Sequence, residues 1–310
     1  MNLKIFNSEY NRYDRYYNYF WDKLIDCISK YHNVTEFRDA SDFYDNSGIN
    51  QIEKMQDSDL LVLNENTGCF VVFSCCDILQ PEILSFKHHD KFKKIFLSQY
   101  FDPNIRANAL EQYENFSPWI YFPCFVEDLD QYYFMRKYEK NEFIDKLFFK
   151  GTAPHRPILN HFLNDFVESA DYSVSFQEYS KTLIKFKAGL SLGGRGEFCY
   201  RDIEYMAMGL PMLRFEYQSK MLFPLIPNYH YISLDIPKDL PQEEHRDNLY
   251  LDRLGDKHHA EMLERRFLEV KDDKDFLDYI SNNARKYYEE YLSPEGGIRT
   301  TIDLIEKELS

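Results

Sequence analysis

Two periods alternate along this chain. The apolar run Leu3-Lys4-Ile5-Phe6 gives way to the polar stretch Asn7 to Asp14, after which Tyr17, Phe20, Trp21, Leu24, Ile25 and Ile28 recur at helical spacing. This pattern predicts a strand, a loop and an amphipathic helix. Further apolar runs at Leu60 to Leu63, Phe70 to Phe73, Lys94 to Leu97 and Ile120 to Phe122 predict strands, separated by polar or helical stretches such as Ile105 to Tyr113. Beyond a charged aromatic segment, Leu129 to Lys146, a second series opens with a strand at Lys146 to Phe149 and a loop at Lys150 to Arg156. It continues with a helix through Phe166, strands at Tyr172 to Phe176 and Phe186 to Leu192, a helix at Tyr200 to Met208, and strands at Met212 to Phe215 and Tyr231 to Leu234. The remainder is charged and helical, with Phe267, Phe276, Tyr279, Ile280, Tyr287, Tyr288 and Leu292 as the recurring apolar set, a break at Ser293-Pro294 and a last helix from Ile298.

Strands alternating with helices predict an α/β fold with mainly parallel, doubly wound sheets. Two Rossmann-like domains are expected, at 1–135 and 136–290, with a helix at 291–310 that crosses or caps them. With 310 residues the chain is long enough for two cores of ordinary size.

Composition narrows the functional classes. Hydrophobic residues at 44% and charged residues at 29% belong to a folded globular chain. A net charge of −15 opposes a broad basic footprint, so nucleic acid and anionic lipid are not expected partners. No apolar run approaches the ~18 residues of a membrane span, and the start of the chain turns polar too early for a signal peptide; the expected location is the cytoplasm. Cys27, Cys69, Cys75, Cys76, Cys124 and Cys199 form no CxxC pair and no finger-type spacing, so reduced thiols are expected. His88-His89 and His258-His259 lack the one-turn spacing of metal ligands and read as solvated surface pairs.

The chemistry concentrates where the strand Lys185 to Leu192 ends in Gly193-Gly194-Arg195-Gly196-Glu197 ahead of a helix. In open α/β sheets ligands bind beyond the carboxyl ends of the strands, where glycines admit backbone N–H groups and helix N-termini favour anions. Arg195, and Arg201 in the first helical turn, add guanidinium groups that match phosphate oxygens in bidentate fashion, so a diphosphate is the natural ligand. On the helix, Ile203, Ala207 and Leu210 should bury, while Arg201, Glu204 and Met208 lie on another face; Glu204 can accept from ribose hydroxyls or pair with Arg201.

The order of these residues, a glycine-rich turn, an arginine, then Glu204-x-Met206-Ala207-x-Gly209-x-Pro211, resembles the donor segment of GT-B glycosyltransferases. Upstream, Phe148-Phe-Lys-Gly-Thr-Ala-Pro-His-Arg156 is similar to an element of exostosin-like and CAP10-like members. Downstream, Ile280-Ser-Asn-Asn-Ala-Arg-Lys-Tyr-Tyr288 looks like the Ala-Arg-aromatic helix of the same enzymes. The resemblance spans roughly residues 146–295. It implies two domains facing across a cleft, an acceptor-side domain at 1–135 and a nucleotide-sugar-binding domain at 136–290, C-terminal helices packing back across them, and transfer of a sugar from a nucleotide diphospho-sugar co-substrate to a glycan or other hydroxyl acceptor, with no cofactor. The implied donor site is Lys150, Gly151, Thr152, His155, Arg156, Gly194, Arg195, Gly196, Glu197, Tyr200, Arg201 and Glu204. Glu197 and Glu204 stand seven apart, one short of the E-x7-E pair of the common retaining families, which points toward an inverting enzyme.

An inverting transfer needs a general base. Glu9, in the loop after the first strand, is the first candidate, and Asp77 the second. Asp57-Ser-Asp59 fits a D-x-D pattern but reads as a cap before the next strand, so no metal is expected. Two other readings compete: a binding module that retains the donor pocket without turnover, and a glycosyltransferase acting on a modified DNA base, which the acidic charge opposes.

Overall fold

The computed structural model describes residues 1–7, 15–49, 55, 59–74, 86, 88–97, 116–118, 129–138, 143–150, 157–162, 167–170, 175–192, 198–217, 221–235 and 257–310. The chain divides into two compact units, one of Met1–Phe125, Lys220–Phe223 and Tyr291–Ser310, the other of Val126–Ser219 and Pro224–Glu290. Residues 126–135, read from the sequence as part of the first domain, fall in the second unit, and the last helix belongs with the first.

The first unit holds a six-stranded sheet in the order β2-β1-β3-β4-β5-β6. Its strands are β1 (Asn2–Asn7), β2 (Asn33–Phe37), β3 (Asp59–Asn64), β4 (Phe70–Ser74), β5 (Phe92–Leu97) and β6 (Phe116–Pro118). β1 pairs in parallel with β2, and β4 with β5 and β5 with β6 likewise, but β3 runs antiparallel to both β1 and β4. The sheet is therefore mixed, which corrects the expectation of a mainly parallel one here. The cause is local: Asn64 to Gly68 turns tightly, with Gly68 in the left-handed region at φ 73°, and returns β4 as a hairpin before any crossover helix can form. The strand expected at Ile120 to Phe122 lies outside the described residues.

Both faces of this sheet are covered. Leu3, Ile5, Leu60, Val62, Val71 and Phe73 pack under α1 (Arg15–Ile28), through Trp21, Leu24 and Ile28, and under α8 (Pro294–Leu309), through Ile298, Leu304, Ile305 and Leu309. On the other face Phe6, Leu61, Phe70 and Val72 meet Phe43 of α2 (Ala40–Ser47) and Phe86. Each fully buried aliphatic or phenyl side chain contributes about 1.5–3 kcal/mol.

The second unit's sheet is wholly parallel, in the order β11-β10-β9-β7-β8. The strands are β7 (Ile144–Lys150), β8 (Val167–Ala170), β9 (Phe186–Leu190), β10 (Met212–Phe215) and β11 (Ile232–Leu234), with helices α3 (Leu129–Tyr138), α4 (Phe176–Leu183), α5 (Tyr200–Ala207), α6 (Lys257–Val270) and α7 (Lys274–Tyr287). Counted within the unit this is the order 2-1-3-4-5, doubly wound, with its topological switch point between β7 and β9. Leu147, Phe149, Ala188, Leu190, Leu213 and Ile232 face α6, while Phe148 turns to Tyr179 of α4 on the other side.

Two elements differ from the sequence reading. Where a helix through Phe166 is expected, a 3-10 turn occupies Pro157–His161, with 163–166 outside the described residues. A strand stands at Val167–Ala170, and of the strand expected at Tyr172 to Phe176, residues 172–174 lie outside the described residues while Phe176 opens a helix. The helix that starts at Phe176 has a physical reason: Ser175 Oγ accepts from the N–H of Glu178 at 3.2 Å, and Glu178 accepts from the N–H of Ser175 at 3.1 Å. This capping box satisfies two otherwise orphaned donors.

Candidate functional site

β7 and β9 lie side by side, with Phe148 opposite Gly189, so their carboxyl ends open together at the switch point. In sequence those ends lead into the two segments predicted to contact the diphosphate, 151–156 after β7 and 193–197 after β9, both outside the described residues. Of the predicted site residues, Gly151, Thr152, His155, Arg156, Gly194, Arg195, Gly196 and Glu197 lie outside the described residues, as do Glu9 and Asp77. Lys150 ends β7. Tyr200, Arg201 and Glu204 are described, and all three sit on α5 directly beyond the β9 loop.

Gly189 admits this arrangement. A Cβ there would stand 2.4 Å from the Tyr205 ring, so only glycine lets Tyr205 lie against the sheet. The Tyr205 hydroxyl donates toward the carbonyls of Phe148 (3.1 Å) and Leu190 (3.4 Å), which ties β7 to β9 close to the switch point.

Arg201 is 7% exposed. Its Nη1 donates to the Leu192 carbonyl at 2.8 Å, and its guanidinium lies 4.4 Å from the centroid of the Phe149 ring. Burial opposes its charge, but neighbouring Tyr205, Cys199 and Asp202 outweigh that and hold its pKa above the ordinary arginine value. Arg201 thus grips the last residue before the glycine-rich loop and leans on the last ring of β7. Glu204 accepts from the Tyr179 hydroxyl at 2.7 Å. α5 is more buried than its periodicity suggests, since Arg201 and Met208 are buried along with Ile203, Ala207 and Leu210.

A second network lies beneath the start of α5. Asp202, fully buried, accepts from Ser191 Oγ, from the N–H of Cys199 (2.9 Å), from Arg214 Nη1 (3.1 Å) and from the Tyr217 hydroxyl (3.1 Å). Arg214 is 1% exposed, and its guanidinium sits 3.2 Å from the Tyr217 ring centroid. Two signals for this network stood in the sequence: an acid three residues after the cap position Cys199, and an arginine inside the apolar strand Met-Leu-Arg-Phe.

Arg285, in the Ala-Arg-aromatic stretch, donates to the Ala207 carbonyl, to Asp130 at 2.5 Å and to Glu289 at 2.7 Å, so it ties α5 to α3 and α7. The histidine pairs split: His88 and His258 are exposed as expected, whereas His259 is buried with its ring edge-on to Phe215 and His89 is half-buried against Phe70. Cys27, Cys69 and Cys199 are free thiols.

In the first unit Asp22 of α1 and Glu36 of β2 converge on one arginine. Arg38 Nη2 lies 2.5 Å from Glu36 and 2.6 Å from Asp22, and buried Asn7 donates toward both carboxylates at 3.5 Å. Burial pushes the Glu36 carboxyl above its ordinary pKa despite Arg38. Among the described residues no group of three His, Cys, Asp or Glu side chains converges as a metal site, and no helix is long and apolar enough to cross a membrane.

No protein-family model and no curated protein matches the chain. Among solved structures it is similar to a glycosyltransferase from Rickettsia africae ESF-5, with 12% identity over 95% of this chain and 82% of that one and a TM-score of 0.42. It is also similar to TarM, at 12% identity over 80% of this chain and 64% of that one, TM-score 0.39. A third likeness is to the pneumococcal O-GlcNAc transferase GtfA in complex with UDP and GlcNAc, at 9% identity over 83% and 66%, TM-score 0.35. Likenesses this distant assign neither a family nor a reaction.

Proposed function

We propose that this chain is a metal-independent glycosyltransferase of the GT-B type, which moves a sugar from a nucleotide diphospho-sugar to a hydroxyl acceptor with inversion. The observation that carries the reading is the switch point between β7 and β9, from which a glycine-rich, arginine-bearing loop leads into the N-terminus of α5.

In this reading the acceptor oxygen attacks the anomeric carbon, the bond from that carbon to the diphosphate breaks, and a carboxylate takes the acceptor proton. Negative charge grows on the departing diphosphate, where Lys150, Arg156 and Arg195 stabilise it together with His155 and the backbone of Gly151, Thr152, Gly194, Gly196 and Glu197. The described geometry suits Arg201 to support: it holds the Leu192 carbonyl at the threshold of the loop. Glu204, oriented by the Tyr179 hydroxyl, accepts from the ribose hydroxyls beside Tyr200. Glu9, two residues beyond β1, is the base, with Asp77 as its alternative; the acceptor belongs to the first unit.

A thermal-shift panel of UDP-, GDP-, CMP- and dTDP-sugars tests the donor assignment. One base class should stabilise the protein, by about 2.7 kcal/mol when its concentration is a hundred times Kd. No shift with any of the four would leave the chain without a donor and remove the reading.

A further inference from the structure

The amino-terminal edge of the second unit's sheet, opposite the switch point, carries a cavity of about 570 Å³. That is ample for a small organic ligand. The last turn of α3, the start of β9, the Gly209 to Pro211 link and the turn between α6 and α7 build its walls.

On a chain of net charge −15 these walls are cationic. Two of the cations are neutralised within the wall: Lys187 pairs with Asp145 (3.1 Å) and Asp272 (2.9 Å), and Lys271 with Asp145 (2.5 Å). Three are not. Arg136 donates to the carbonyls of Ile184 (2.7 Å), Phe186 (2.7 Å), Gly209 (3.1 Å) and Lys187 (3.2 Å), with its guanidinium 4.4 Å from the centroid of the Phe143 ring. Carbonyl oxygens satisfy its donors but leave its charge unbalanced, so burial pulls its pKa below the ordinary arginine value, with only the Asp278 carboxylate opposing. Lys137 Nζ reaches the Tyr133 hydroxyl at 3.1 Å and lies 5.3 and 5.7 Å from the Tyr133 and Tyr138 ring centroids. Lys137 and Lys274, both exposed, have no carboxylate within 4.0 Å among the described residues. Beside them Tyr138 is 69% exposed.

Unbalanced cations converging on one cavity favour a doubly charged anion, which ammonium and guanidinium groups bind as charge-assisted partners. The exposed phenol ring offers a stacking face next to them. We infer that this cavity is a second ligand site, distinct from the carboxyl-edge site, for a small organic phosphate that carries a ring. Its phosphate is drawn to Lys137, Lys274 and the Arg136 charge, and its ring lies on Tyr138.

Calorimetric titration of the full chain with phenyl phosphate, beside inorganic phosphate and phenol, tests this. Phenyl phosphate should bind more tightly than either fragment. Lys137→Ala and Lys274→Ala, at exposed positions that leave the core intact, should each weaken it by roughly tenfold. Tyr138→Ala should weaken phenyl phosphate while inorganic phosphate binds as before, and Arg195→Ala should change neither. The inference is overturned if phenyl phosphate binds no better than phenol, if the Lys137/Lys274 double variant binds it like the unaltered protein, or if Arg195→Ala is the substitution that abolishes binding.

Discussion

At the scale of single residues, the second unit buries charges that its fold must satisfy. Asp202 and Arg214 are both removed from water and pair directly, and Asp202 also accepts from Ser191 Oγ, the Cys199 N–H and the Tyr217 hydroxyl. Asp202→Ala should therefore cost about 3–5 kcal/mol in chemical denaturation, since it removes the shared acceptor of a buried guanidinium and three further donors. The double variant Asp202→Leu, Arg214→Met should recover only part of that loss, because Ser191, Cys199 and Tyr217 still lack their acceptor. His230 offers a pH-dependent test. Burial pulls its pKa from 6.5 to about 4, and its Nδ1 accepts from the N–H of Ile226 at 2.8 Å, which the neutral ring alone can do. The folded state thus binds fewer protons than the unfolded one between these values. Its stability is complete above pH 6.5 and falls as pH drops toward 4, by about 3 kcal/mol at most. His230→Asn keeps an acceptor at that position without the titration, so its stability measured across pH 4 to 6.5 should fall less steeply than that of the unaltered protein.

At the scale of elements, the legible parts were those whose stops and patterns are local. β10 is found at Met212 to Phe215 as read, and α5 ends within a residue of its predicted end, because Gly209, left-handed at φ 63°, and Pro211 terminate it. β2 is not legible in the sequence: Asn33-Val-Thr-Glu-Phe37 is an edge strand with mostly polar, exposed positions and carries little apolar signal. The antiparallel β3 could have been read from the short glycine-bearing link between Leu63 and Phe70. The home of α8 could not, since its packing on α1, β3 and β4 joins residues that local spacing never relates. The same packing makes Leu304→Ala cost about 2–5 kcal/mol in equilibrium unfolding. Gly189→Ala should be costlier than an ordinary Gly→Ala change, because its Cβ meets the Tyr205 ring at 2.4 Å. It should also weaken donor binding by displacing Tyr205 from β7 and β9; unchanged stability and donor affinity would contradict that role.

At the scale of the whole molecule, a chain with a strong negative charge carries its predicted phosphate-binding groups in segments that follow, in sequence, the carboxyl ends of two adjacent strands of a parallel sheet ordered 2-1-3-4-5. The residue types of that site were visible in the sequence as a glycine-rich turn and an ordered set of basic residues. Of its support, Asp202 and Arg214 each left a signal in the sequence, but their pairing and the packing of Tyr205 over Gly189 did not, because both depend on which strands become neighbours. The most direct measurement is release of nucleoside diphosphate from a panel of sugar nucleotides, with and without hydroxyl acceptors, by the unaltered protein and by Arg195→Ala. The account predicts release from one donor class and a fall in turnover of about 10²–10³-fold in the variant, the size of a lost transition-state contact. Absence of release across the whole panel, or equal turnover by the Arg195→Ala variant, would contradict it.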